Sequence, residues 1–245
     1  MGIAVHILAA LGDHANYIYI LRDEAEDYTV AVDPGEARPV LEFLQPRGWK
    51  LSAIWNTHHH WDHKDGNLPL KSATGCRIYG PAKERDRIPG LDEALQEGDE
   101  VPLGTARARA LEIPGHTLGH MAYWLESESA LFPGDTLFAL GCGRLFEGTP
   151  EMMRQSLARL AQLPPHTRIY CGHEYTETNL RFALAQAPGR PDLLEYKKEI
   201  SALRAQGEPT LPTLLSRELA LNPFLQAREA PAEFARLRGL RDRFR

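Results

Sequence analysis

Three observations predict an α/β protein that ends in a helical extension. Short apolar runs separated by Gly, Pro and Asp turns fill the first two thirds of the chain. After His173 the pattern changes to helical periodicity. Within the strand-rich part, histidine and aspartate recur at strand ends beside glycine.

Strands are expected at 16–21, 28–32, 53–56, 77–79, 106–113, 121–125, 130–132 and 168–171. Two helical patterns interrupt them, at 37–45 and 150–163. The second has Thr149 as N-cap, Pro150 in the first turn and Glu151 beside the positive helix end. The extension carries helical patterns at 179–186, 191–205, 213–221 and 232–244. Ala187-Pro188-Gly189, Gly207-Glu208-Pro209 and Asn222-Pro223 divide them. This division implies a sheet-rich domain at 1–173 and a helical extension at 174–245.

Composition restricts the function classes. Hydrophobic residues at 43% and charged residues at 25% are those of an ordinary globular protein. A net charge of −5 does not suit bulk binding to nucleic acid or membrane surface, and no apolar run is long enough for a membrane span. The segment 1–11 has no basic leader, so no signal peptide is expected. Cys76, Cys142 and Cys171 are odd in number and far apart, which fits a reducing cytoplasm.

The densest chemistry lies in His58-His59-His60-Trp61-Asp62-His63, directly after an apolar stretch. In an extended chain His58, His60 and Asp62 share a face and His63 points elsewhere. Two directions suit two adjacent metal ions. Three more strand ends carry ligand types: Gly115-His116, Gly134-Asp135 and Gly172-His173, each glycine permitting a sharp turn. Five imidazoles (His58, His60, His63, His116, His173) and two carboxylates (Asp62, Asp135) suit zinc, with iron or manganese as alternatives. Seven ligands exceed one tetrahedral ion and fit two. His59 is read as exposed between ligands. His6, His14, His120 and His166 are read as surface or hydrogen-bonded core residues, and Cys142 and Cys171 as small buried residues.

These residues resemble the metallo-β-lactamase superfamily, whose His-x-His-x-Asp-His signature is met by His58, His60, Asp62 and His63. Within it the chain is similar to glyoxalase II, the hydroxyacylglutathione hydrolases. The similarity rests on Gly134-Asp135-Thr136-Leu137-Phe138, Gly141-Cys142-Gly143-Arg144, Phe146-Glu147-Gly148-Thr149, Cys171-Gly172-His173-Glu174-Tyr175-Thr176 and Leu221-Asn222-Pro223-Phe224.

The resemblance implies a four-layer αββα sandwich, with 1–173 as the catalytic domain and 174–245 as a substrate-binding extension. It implies one metal on His58, His60 and His116, a second on Asp62, His63 and His173, and Asp135 bridging. Asp62 and Asp135 would orient the metal-bridging hydroxide that attacks a thioester. Glutathione contacts fall on Arg144, Tyr175, Arg238 and Arg241, with Phe146 where relatives often have Tyr and Arg144 where Lys is common. Tyr175 either packs the start of the extension or touches substrate.

The expected reaction is hydrolysis of S-(2-hydroxyacyl)glutathione, typically S-lactoylglutathione, by a cytoplasmic monomer with no nucleic-acid or membrane partner. The competing enzymes of the same fold are a mononuclear iron persulfide dioxygenase and a lactonase. A non-catalytic binding module would be expected to have lost ligands, and all seven positions are filled here.

Overall fold

The computed structural model describes residues 2–244 apart from the side chain of Asp13; Met1 and Arg245, the ends of the two expected domains, lie outside the described residues. The chain forms two compact units. The first runs to Glu112 and includes Gly119–Gly134; the second comprises Ile113–Leu118 and the chain from Asp135 onward.

The first unit holds β1 (Ala4–Ala10), β2 (Asn16–Asp23), β3 (Tyr28–Val32), α1 (Arg38–Leu44), β4 (Ala53–Trp55), α2 (Trp61–Lys64), α3 (Asn67–Thr74), β5 (Arg77–Pro81) and β6 (Glu93–Leu95). They are followed by β7 (Glu100–Leu103), β8 (Ala106–Glu112), β9 (Met121–Leu125) and β10 (Ala130–Gly134). Strands β1 to β6 form one sheet in sequence order, antiparallel through β3 and parallel from β3 to β6. Strands β7 to β10 form an antiparallel array.

The residues of β2 explain why it is buried along its whole length. Ile18 and Ile20 pack with Val40, Leu44 and Leu70 of the helices. On the other face, Tyr19 meets Phe132 of β10 at 5.6 Å, and Trp55 of β4 meets Tyr123 of β9 at 5.1 Å. The first sheet is thus covered on both sides, which favours a continuous apolar run over strict alternation.

Beyond Ile113–Leu118, the second unit holds the hairpin β11 (Leu137–Phe138) and β12 (Gly141–Cys142), then α4 (Pro150–Leu160) and β13 (Arg168–Cys171). It continues with α5 (Thr176–Gln186), α6 (Pro191–Ala205), β14 (Thr213–Leu214), α7 (Leu215–Leu221), α8 (Pro223–Gln226) and α9 (Pro231–Arg243). Thr149 caps α4 as expected, its hydroxyl accepting from the Met152 N–H at 3.2 Å. Leu140, Leu180, Ala183, Leu193, Tyr196, Ile200 and Leu221 form one apolar core.

Several elements differ from the sequence-based expectation. β1 pairs along its full length with β2, although its Ala-rich run gave no alternation. Thr213 and Leu214 pair with β13 instead of opening a helix. Trp61–Lys64 is one helical turn with His60 extended at its N-cap (φ −61°, ψ 145°). Asp62 therefore does not share an extended face with His58 and His60, because the chain turns helical between them.

Glu218 of α7 is fully buried. It accepts from Leu140 N–H (2.7 Å), the Thr213 hydroxyl (2.8 Å) and Asn222 Nδ2 (3.1 Å). Burial outweighs these bonds and pushes its carboxyl up to about 7. The unfolded chain binds this proton only near the ordinary value of about 4.3. The group's stabilisation is therefore full below that pH and is lost as pH rises through about 7, a swing of about 3 kcal/mol. Urea unfolding of the wild type and Glu218→Gln should give a stability difference that moves against the wild type by that amount between pH 4.5 and 8. A difference independent of pH would show that the carboxyl is charged throughout.

Candidate active site

The seven expected ligands divide between the units. His58, His60, Asp62 and His63 lie in the first; His116, Asp135 and His173 lie in the second.

In the first unit the ligand run leaves β4 and enters α2. His58 Nε2 and His60 Nδ1 converge at 3.0 Å, and Asp62 Oδ2 lies 3.6 Å from His63 Nε2. The run is fixed by neighbouring polar groups. Asn16 Nδ2 donates to both the carbonyl (3.0 Å) and Oδ2 (3.2 Å) of Asp62, and Asn56 Nδ2 donates to the His63 carbonyl at 2.9 Å.

Asp33 holds the same region from beneath. Its carboxylate accepts from Thr57 N–H (2.7 Å), the Thr57 hydroxyl (2.6 Å) and His63 Nδ1 (3.2 Å). A carboxylate on Nδ1 fixes the tautomer that presents Nε2 to a metal. Asp33 does this from φ +50°, a region sparsely used by residues other than glycine, though Asp visits it more readily than most.

His59 is buried, against the expectation that it is exposed, with Nδ1 2.8 Å from Glu84. Glu84 also accepts the Gly119 N–H at 3.1 Å. His120, in the same unit, stacks on His58 with ring centroids 4.6 Å apart.

In the second unit one carboxylate oxygen lies between two imidazoles. Asp135 Oδ2 is 3.5 Å from His116 Nε2 and 3.2 Å from His173 Nε2. The Arg144 carbonyl sits 2.8 Å from His116 Nδ1 and so leaves Nε2 for a metal. Tyr175 stacks on His173 with ring centroids 4.6 Å apart and planes at 2°.

Glycine is required at two of the strand ends. Gly134 turns at φ +49°, and a side chain there would come within 2.3 Å of the Thr57 hydroxyl. Gly115 has φ +152°, and a Cβ would meet Met153 at 2.9 Å.

The donor chemistry fits divalent cations. Two ligands about 2.1 Å from one zinc at tetrahedral angles lie about 3.4 Å apart. The four donor pairs above, at 3.0, 3.6, 3.5 and 3.2 Å, match that spacing within each unit. No thiolate competes. Burial pushes the Cys142 and Cys171 thiols up, and among the described residues no cysteine forms a disulfide.

His116 and Asp135 open into a cavity of about 320 Å³ within the second unit, lined also by Phe138, Cys142, Arg144, Phe146, Tyr175, Asn179, Arg238 and Arg241. All five expected substrate-contact residues thus line one cavity. Their surroundings differ. Phe146 and Arg144 are exposed. Arg238 is buried, with NH1 donating to the Cys142 (2.8 Å) and Gly143 (3.2 Å) carbonyls and NH2 to Asp242 (2.8 Å). Arg241 reaches Asn179 Oδ1 at 3.2 Å, and burial together with the neighbouring Arg238 holds its guanidinium below the usual arginine range.

Sequence reasoning missed Asp33, Thr57 and Glu84, which hold the ligand run, and Asn179, which lines the cavity. Val32-Asp33-Pro34-Gly35 did offer the signal of the other strand ends, a carboxylate close to glycine. The rest carried no such signal.

The profile of the metallo-beta-lactamase superfamily matches residues 11–173, and the profile of the hydroxyacylglutathione hydrolase C-terminus matches residues 174–244. The chain is 55% identical to a hydroxyacylglutathione hydrolase of Methylococcus capsulatus, over 91% of this chain and 86% of the relative. It is 46% identical to one of Hyphomonas neptunium, over 99% and 98%. The crystal structure of ETHE1 from Myxococcus xanthus superposes with a TM-score of 0.73 at 25% identity, covering 96% of this chain and 90% of that one. Fold, ligand pattern and near full-length similarity together establish that this chain belongs to the hydroxyacylglutathione hydrolase family of the metallo-beta-lactamase superfamily.

Proposed function

We propose that the protein hydrolyses S-(2-hydroxyacyl)glutathione, with S-lactoylglutathione as its typical substrate, to glutathione and a 2-hydroxy acid. The observation that carries this reading is the cavity of the second unit. It joins a shared-carboxylate ligand set, Asp135 between His116 and His173, to three arginines in one concave surface. Family membership and the C-terminal profile match support the thioesterase over the mononuclear dioxygenase and lactonase alternatives.

In this reading His58, His60 and His116 would hold one divalent cation, Asp62, His63 and His173 would hold another, and Asp135 would serve both. Zinc is the first candidate. Bound there, such cations lower the pKa of a water toward about 7 and polarise a carbonyl oxygen. The protein's own groups do the rest. Asp62 and Asp135 accept hydrogen bonds from the attacking water and set its direction. Arg144 and Arg241 pair with carboxylates of the peptide carrier, which raises both encounter rate and affinity. Phe146 and Tyr175 pack its apolar parts. The leaving thiolate, with a pKa of about 8.5, departs without a dedicated proton donor.

The working domain division, 1–173 catalytic and 174–245 substrate-binding, is supported by where the two profiles meet. We place the protein in the cytoplasm as a monomer; the absence of disulfides among the described residues favours a reducing compartment. Among those residues no helix is long and apolar enough to cross a membrane.

The test is an assay of purified, metal-analysed protein with S-lactoylglutathione. Turnover of several per second, about two metals per chain and loss on chelation are expected. Oxygen uptake with glutathione persulfide and about one iron per chain, without thioester hydrolysis, would move the protein to the dioxygenase class. Arg241→Ala should raise KM for S-lactoylglutathione about tenfold with kcat nearly unchanged. An unchanged KM would remove Arg241 from the carrier site.

A further inference from the structure

The segment Phe138–Gly143 forms one wall of the cavity, through Phe138 and Cys142. Its backbone is held largely by side chains of the C-terminal helices. Asn222 Nδ2 donates to the carbonyls of Phe138 (3.1 Å) and Gly141 (3.0 Å). Asn179 Nδ2 donates to the Ala139 carbonyl at 3.0 Å. Arg238 takes the Cys142 and Gly143 carbonyls, and Glu218 accepts the Leu140 N–H. Five carbonyls and one N–H of this short stretch are thus fixed by four side chains.

All four are more than nine-tenths buried, with Glu218 and Asn222 at 0% exposure, Asn179 at 4% and Arg238 at 5%. Glu218 also accepts from Asn222, so the two act together. Asn222 Oδ1 caps the Phe224 N–H at 3.0 Å, and the Phe224 ring lies 5.3 Å beneath the Arg238 guanidinium. Leu221-Asn222-Pro223-Phe224 therefore acts on the cavity through the wall it holds, not by lining it.

We infer that Asn222, with Glu218, is a positioning residue for carrier recognition: it holds the Phe138–Gly143 wall in the shape that accepts the peptide of a glutathione thioester. The inference rests on the thioesterase reading above. A backbone segment whose carbonyls were free would relax toward water, since a buried unpaired carbonyl is costly. The wall would then shift with the metal ligands still in place. The consequence is selective: carrier binding weakens while the chemistry at the thioester persists.

The experiment uses the metal-loaded full chain and two lactoyl thioesters, one of glutathione and one of N-acetylcysteamine, which lacks the peptide. Asn222→Asp keeps the Phe224 cap and the side-chain volume but turns an oxygen toward the Phe138 and Gly141 carbonyls. It should raise KM for the glutathione thioester about tenfold. Its kcat, its metal content and its kcat/KM for the N-acetylcysteamine ester should stay within about twofold of wild type. Should that variant fail to fold, Glu218→Gln gives the same comparison with an expected rise in KM of about threefold. An unchanged KM, or equal losses on both esters, with an active wild type overturns the inference alone. A wild type inactive on both esters overturns the thioesterase reading, and the inference with it.

Discussion

Asp135→Ala is expected to bind at most about one metal ion per chain and to lose at least about a hundredfold in turnover of S-lactoylglutathione. The reason is geometric. A single oxygen, Asp135 Oδ2, stands 3.5 Å from His116 Nε2 and 3.2 Å from His173 Nε2, so one side chain serves both imidazoles. Removing it takes away a negative charge that both proposed cations would share and leaves each proposed donor set one ligand short. Metal analysis after gel filtration, with thermal melting as the control for folding, decides the matter. Retention of two metals in the folded variant would refute the shared role.

The second large effect is expected at a residue that the ligand motif does not contain. Asp33→Asn should lower metal affinity about ten- to a hundredfold. The wild-type carboxylate accepts from both Thr57 donors and from His63 Nδ1, fixing the ring so that Nε2 faces outward. Thr57 N–H is on one carboxylate oxygen, and the Thr57 hydroxyl and His63 Nδ1 share the other. An amide can accept at one of the two positions only, so either the Thr57 N–H bond that anchors the turn or the acceptor of His63 Nδ1 is lost. Competition against a chelator of known affinity reads the change directly. Unaltered competition would show that Asp33 serves the turn after β3 and not the ligand. Activity restored by excess metal would confirm that the loss lies in affinity rather than chemistry.

Much of the candidate site was legible in the amino-acid sequence. His58, His60, Asp62 and His63 stand close together, and the glycines beside His116 and Asp135 mark sharp turns that local chemistry alone demands. The strands at 28–32, 121–125 and 168–171 were legible for the same local reason: apolar and β-branched runs bounded by turn residues. The expectations that failed depended on distant partners. His59 lies buried because Glu84, twenty-five positions away, pairs with it. β1 is a strand because β2 offers a complementary edge, and Thr213 pairs with Ile169 because the chain returns there.

The sequence by itself determined the candidate ligand types, two of the turns that present them and the helical character of the extension, because these follow from side-chain chemistry and periodicity. Only the tertiary structure decided how those parts are held. Asp33 beneath His63, and Asn179 and Glu218 beside one hairpin, are ordinary polar residues in sequence. Each gains its role because folding buries it against groups far along the chain. A buried polar group must find a partner, and which partner it finds is a property of the fold.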